Sequence, residues 1–444
     1  MSVKLKKYPN NFQIVYEKSS SHIPLTSLYI ICDIGPVYEY DKIRGASHFI
    51  EHMCFKGTHK IPHAKDIFQE YSKIGAFFNA YTSKRYTCYT VKCQDEYIYH
   101  CLNILSDMLM NSLFNKKEYE KEEKIVIEEN NNNDNNPEKI IDNEIERMLY
   151  KGSSYEFPID SLEYHTSRSL NYKDIIEFYK TFYHPSNMIL SVVSNVSFEN
   201  IDKIIKKTIF TKNIRPKIPL VIPVINHGLV SQTETKYRLI EKRGITNIHL
   251  NIGFRTCGRK NHDKFLLNIL SNIMGNSLTG RLMLLLRERK GLVYGAYTST
   301  DYNEYSGNFI FYTKTKHSHF LKYLGKDGVL PLMISIINNM IENGITKKEL
   351  ETAKGNFKGN SIIGLQNIVT QTQYNGEYIL MGSVEKNHIV SYKDIFETYI
   401  QELSLGDINK VIKLYFTSKN MCVCILSEKL PPLEIIQKEC KKII

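Results

Sequence analysis

The sequence has no tryptophan; its aromatic surface comes from 30 Tyr and 20 Phe in 444 residues. It has no run of 18 apolar residues, so no membrane-spanning helix is expected and no membrane partner. The stretch Met1–Pro9 lacks the apolar core of a signal peptide and the Arg- and Ser-rich amphipathic pattern of a transit peptide. The nine cysteines contain no C-x-x-C, their number is odd and their spacing irregular, which excludes a disulfide framework and a cysteine-based zinc ribbon. Free buried thiols in a reducing, cytoplasmic compartment are expected, with Cys422 and Cys424 packing on one face of a strand. Nor is there an arginine-rich arm or a nucleic-acid motif. The net charge, 58 − 47 = +11, therefore reads as a basic, solvated surface, and no nucleic-acid partner is expected.

What is present is the composition of a globular chain, 42% hydrophobic and 24% charged, long enough for two to four cores. Heavy use of Asn, Lys, Ile and Tyr reflects nucleotide-composition bias. Strands are expected at Phe12–Tyr16 and Ser27–Asp33. A helix over Gly45–Lys56 should close at Gly57, and another over Ala64–Ile74 at Gly75. Two strands should fill Ala76–Val91, and amphipathic helices Asp95–Leu113 and Lys117–Glu129. The polar tract Asn130–Asn136 reads by itself as loop or disorder, after which Asn136 caps a helix opening on Pro137.

The chain repeats itself. Asp174-Ile175, Phe182-Tyr183 and Asn187-Met188 recur as Asp407-Ile408, Tyr415-Phe416 and Asn420-Met421, always 233 residues later. Each copy reads as helix, turn and strand. Aligning Gly275 with Gly57 places Leu266, Ile269 and Leu270 where the first half has His48, Glu51 and His52. The expected organisation is a domain over 1–211, a linker over 212–233 that opens on the Pro-rich stretch Lys212–Pro223, and a homologous domain over 234–444. The fold class is α+β: two duplicated α/β units, each a mainly antiparallel sheet packed by helices.

The chemistry concentrates in His48-x-x-Glu51-His52. Residues i and i+4 share a helix face, so two imidazoles converge on one point, as a zinc ion requires. The carboxylate of Glu51 can reach a water bound there. The order is the reverse of H-E-x-x-H, the inverzincin arrangement. Two surface histidines beside a solvated glutamate would have the same spacing, so the motif needs its context. Glu122 and Glu129, seven residues apart, share a helix face with Ile125.

Together with His52–Thr58, Asn79–Ser83, Leu286–Tyr294 and the internal duplication, this pattern resembles the pitrilysin family of zinc peptidases. The half-length type is the nearest in pattern: the β subunit of mitochondrial processing peptidase and its bacterial relatives. The resemblance runs from Tyr8 to about Pro431. It implies one Zn²⁺ per chain held by His48, His52 and Glu129, with Glu128 the competing ligand one residue away. It implies that Glu51 is the general base and Glu122 a carboxylate supporting the ligands. An edge strand, Phe77–Tyr81, would add the substrate peptide as an extra strand beside Asn79 and Ala80. Arg287 and Tyr294 would reach into a catalytic chamber, of which one chain supplies half a clamshell. The expected function is a zinc metalloendopeptidase acting on peptides or unfolded segments, in a homodimer or a heterodimer with a homologous subunit. A catalytically silent scaffold of the same fold, or a subunit of a heterodimeric processing peptidase, is the alternative.

Overall fold

A computed structural model describes residues 3–159, 170–212, 224–382 and 389–443. Most of the expected Pro-rich linker lies outside them. The described chain divides into two compact units.

The first unit comprises Met1–Asn133, Phe157–Asn226 and Ser361–Asp394. Its sheet runs β1 (Lys4–Lys7), β2 (Gln13–Lys18), β6 (Met188–Ser194), β3 (Leu25–Cys32), β5 (Thr87–Gln94), β4 (Phe77–Thr82). Only β2 and β6 pair in parallel; every other pair is antiparallel. Its helices are α1 (Ala46–Met53), α2 (Ala64–Ser72), α3 (Ile98–Met110), α4 (Lys116–Asn135), α6 (Tyr172–Phe182), α7 (Phe198–Ile205) and α12 (Ile368–Met381).

The second unit comprises Asp134–Glu156, His227–Asn360 and Ile395–Ile444. Its sheet runs β7 (Lys236–Glu241), β13 (Met421–Ser427), β8 (Ile248–Cys257), β10 (Ser306–Thr315), β9 (Ala296–Tyr302), with β7 and β13 parallel and the rest antiparallel. A short hairpin, β11 (Lys322–Tyr323) and β12 (Lys326–Asp327), stands apart. Packed here are α5 (Pro137–Leu149), α8 (Asp263–Met274), α9 (His317–Phe320), α10 (Val329–Asn343), α11 (Lys347–Gly364), α13 (Leu405–Tyr415) and α14 (Leu433–Cys440).

The two sheets have the same strand order and the same single parallel pair, the first having β1 in addition. The 233-residue repeat relates α6 to α13 and β6 to β13 end for end. Its asparagines do the same work. Asn187 Nδ2 donates to the carbonyls of Phe182 and Asp33, both at 3.0 Å, and Asn420 Nδ2 to those of Tyr415 (2.9 Å) and Arg255 (2.5 Å). Each ties the end of a helix to the neighbouring strand.

Neither unit is a continuous half of the chain, which differs from the expected division at 211 and 234. A sheet buries both faces only when helices cover them, and two helices do so away from their own sequence half. The α5 face of Ile141, Ile145 and Leu149 packs on Ile310, Tyr312, Cys422, Cys424 and Leu426. It approaches closely enough that a Cβ at Gly253 would lie 2.9 Å from Leu149 Cδ1. Met381, Val369 and Leu380 of α12 pack on Tyr29, Ile31, Tyr86 and Cys88. Here the glycine is on the helix: a Cβ at Gly376 would meet Ile31 Cδ1 at 2.4 Å.

Two helix ends also differ. The first site helix stops at Met53, not Lys56, because Phe55 and Lys56 bond to carbonyls three residues back and tighten the chain into a turn. Gly57 (φ +127) follows that turn, where a Cβ would collide with the Pro62 carbonyl at 2.2 Å. Helix α4 runs on through the asparagine tract to Asn135, and Asn136 then caps α5 by accepting from the Glu138 N–H at 3.0 Å. All nine cysteines are buried and free.

Candidate metal centre

Helix α1 begins at Gly45, whose φ of 89° turns the chain in from the preceding loop. Its first N–H groups are held by a side chain from that loop. Glu39 accepts from the N–H of Gly45 through Oε2 and of Ser47 through Oε1, both at 2.7 Å. A carboxylate there satisfies orphan donors and suits the positive end of the helix dipole.

One turn apart, His48 and His52 converge, their Nε2 atoms 3.2 Å from each other. From α4, Glu129 Oε2 lies 3.8 Å from His48 Nε2 and 3.6 Å from His52 Nε2. Ligands about 2.0–2.2 Å from a tetrahedral zinc are about 3.3–3.6 Å apart, so the three donors match three corners of such a site. Among the described residues this is the group of His, Cys, Asp and Glu side chains that can hold a metal ion. Among the described residues no fourth side chain joins the group, as in catalytic rather than structural zinc sites. Glu128 is exposed and outside the group.

The α4 face toward α1 carries buried Tyr119, Glu122, Val126 and Asn130; Ile125, expected on it, is 43% exposed. Glu122 Oε1 lies 2.8 Å from His52 Nδ1, and Lys56 Nζ is 2.5 Å from Glu122 Oε2. A proton on Nδ1 is thereby retained, and the Nε2 lone pair faces Glu129 and His48. Burial opposes ionisation of Glu122, but His52 and Lys56 outweigh it and hold the carboxyl below its usual range. For His52, burial favours the neutral ring. The hydrogen bond that His52 donates to Glu122 and the charges of Glu51, Glu122 and Glu129 overcome that and raise its basicity, which also favours a cation at Nε2.

Glu51 is 8% exposed. Burial pushes its carboxyl above the usual range, with Glu129 adding to the shift and Thr82 and His52 opposing it. Its Oε2 accepts a hydrogen bond from Thr82 Oγ1 at 2.6 Å. Thr82 ends β4, which among the described residues pairs with β5 alone and is an edge of the sheet. Asn79 and Ala80 lie mid-strand, opposite Thr90 and Tyr89.

In the second unit, Leu266, Ile269 and Leu270 of α8 are buried apolar residues, so no metal-binding set stands at the repeated position. Arg287 and Tyr294 lie together, the guanidinium 5.3 Å from the ring centroid, and Tyr294 is 84% exposed.

Sequence reasoning missed Glu39, Lys56 and Thr82. Lys56 lies four residues after His52, and Thr82 sits inside the singled-out Asn79–Ser83, so both had a signal. Glu39 acts from a loop, and nothing in its spacing marks it.

Two family profiles match the chain. The profile of insulinase (peptidase family M16) matches residues 14–160, and that of the peptidase M16 inactive domain matches 169–357. A Bacillus subtilis protein named as the uncharacterized zinc protease YmxG is 29% identical over 379 residues, 85% of this chain and 88% of the relative. The crystal structure of a protease from Helicobacter pylori superimposes with a TM-score of 0.86 at 20% identity, covering 96% of this chain and 99% of that one. The periplasmic protease PqqL from Escherichia coli matches 99% of this chain but 50% of its own, with a TM-score of 0.77 at 14% identity.

Proposed function

This chain belongs to the M16, or insulinase, family of peptidases, and from that premise we propose that it is a zinc-dependent endopeptidase cutting peptides or extended protein segments. One observation carries the reading: His48, His52 and Glu129 present three donors at tetrahedral spacing, with a buried carboxylate, Glu51, beside them. A silent scaffold has no use for that arrangement. The profile of the inactive domain begins at residue 169, after the segments that carry His48, Glu51, His52 and Glu129.

His48, His52 and Glu129 would hold the zinc ion, which when bound would supply an activated water and a Lewis acid for the scissile carbonyl. Glu51, buried beside the site, would accept a proton from the attacking water and return it to the leaving amine. Glu122 fixes the His52 tautomer. The free edge of β4 takes the substrate as an added strand, with Asn79 and Ala80 beside the scissile bond, so main-chain pairing sets affinity and sequence preference is weak.

The active form is proposed to be a pair of chains, most simply a two-fold dimer, in which Arg287 and Tyr294 donate to the carbonyl oxygen at the partner's site. The match of this chain to half of PqqL supports a chamber of two such lengths. The test is to purify the protein, measure its zinc and its mass in solution, and follow cleavage of a mixed peptide library. Cleavage abolished by a chelator and restored by zinc supports the reading. Zinc-loaded dimer that cleaves nothing contradicts it, and dependence on a second, homologous chain points to a heterodimer.

A further inference from the structure

We infer that Thr82 is a positioning residue that registers the base, Glu51, to the strand on which substrate docks; the inference rests on the endopeptidase reading above. Three observations carry it. Thr82 Oγ1 donates to Glu51 Oε2 at 2.6 Å, so one carboxylate oxygen is fixed and the other is left to act. Second, Thr82 belongs to the edge strand itself, two residues beyond Ala80.

Third, alternation along β4 gives each side chain of one face a distinct task. Phe78 is anchored in an aromatic cluster, its ring centroid 4.5 Å from that of Tyr71 and 5.6 Å from that of Phe68. Ala80 presents only a methyl group, and Thr82 holds the base. On the opposite face the same end of the strand is tethered again. Tyr81 Oη lies 3.4 Å from Tyr86 Oη, and Tyr86 donates to Glu377 Oε1 of α12 at 2.6 Å. The end of the strand that carries Thr82 is therefore tethered on both faces, by Thr82 itself on one and by its neighbour Tyr81 on the other. Base and docked peptide then share one backbone as their reference, so any shift of the peptide along its docking strand is felt relative to a base tied to that strand.

Thr82→Val keeps the shape and the β-branched preference for a strand but removes the donor; Thr82→Ser keeps the donor. Thr82→Val should keep full zinc and a KM within about twofold, while kcat falls about 10- to 100-fold, the cost of a misplaced catalytic group. Thr82→Ser should restore most of kcat. In metal-free protein, a double-mutant cycle of Thr82→Val with Glu51→Ala, read by denaturant unfolding, should be non-additive. Wild-type kcat in Thr82→Val, or an additive cycle, overturns the role of Thr82 while leaving the endopeptidase reading intact. Loss of zinc or of KM in parallel with kcat makes Thr82 merely structural and overturns it as well. A wild-type chain that binds zinc and cleaves nothing overturns the endopeptidase reading, and the positioning role with it, even if the cycle is non-additive.

Discussion

The distinction between two adjacent glutamates decides the metal site. Glu129 Oε2 stands within 4 Å of both imidazole Nε2 atoms, whereas the Glu128 side chain, about 100° round the helix, points to solvent. Glu129→Gln should therefore abolish stoichiometric zinc binding, and Glu128→Gln should leave it unchanged, as metal analysis after gel filtration will show. Glu122→Gln should bind zinc about 10- to 100-fold more weakly, because the His52 ring loses the charged partner that orients it; competition with a chromophoric chelator measures this. At this scale much was legible. The H-x-x-E-H spacing pins two imidazoles to one helix face, and the seven-residue step from Glu122 to Glu129 is almost two turns. Glu39 was not legible, because a loop carboxylate that caps a helix through space leaves no periodic trace.

Elements were legible where a glycine or proline bounds them, although α1 closes a turn short of Gly57, and illegible where packing overrides local preference. Asparagine is a poor helix former, so the tract after Glu129 reads as loop. Yet α4 continues to Asn135, with Asn130 buried on the same face as Val126 and Tyr119. Tertiary burial carries the helix past its ligand, and the break comes only where Pro137 forbids continuation. Likewise, no pattern in α5 or α12 tells which sheet each will cover. Helix α1 depends on its loop cap: Glu39→Gln keeps one acceptor oxygen for two N–H groups, and leaving one buried donor unmade costs about 1–3 kcal/mol. Denaturant unfolding of the metal-free chain should show that loss.

In the second unit, Arg281 clasps Glu349 through Nε at 2.7 Å and Nη2 at 2.9 Å, and the Thr346 N–H adds a third bond at 2.7 Å. Desolvation works against the ionised carboxyl, but Arg281 and Thr346 prevail and bring it to about 2. An unfolded chain titrates Glu at about 4.3. As pH falls, the unfolded chain takes up this proton first, so the contribution is complete above about 4.3 and is lost as pH falls toward 2. Glu349→Gln should be less stable than wild type at pH 7, and the difference should shrink between pH 4.3 and 2 in thermal unfolding curves.

For the whole molecule, duplication is the organising fact. The second unit repeats the sheet of the first, and Leu266, Ile269 and Leu270 of α8 stand at the repeated positions of His48, Glu51 and His52, so the described residues hold one candidate metal centre and one apolar copy. If that copy contributes Arg287 and Tyr294 to a partner's site, inactive Glu51→Gln chains mixed with inactive Arg287→Ala/Tyr294→Phe chains should regain activity once subunits exchange. Mixing without recovery, despite exchange, would place both groups in the same chain's site or in none. The most direct measurement is hydrolysis of one identified peptide by wild-type and Glu51→Gln protein, each loaded to the same measured zinc content. Equal zinc with kcat at least about 10²-fold lower in Glu51→Gln is the predicted result. Equal zinc with equal kcat would contradict the account.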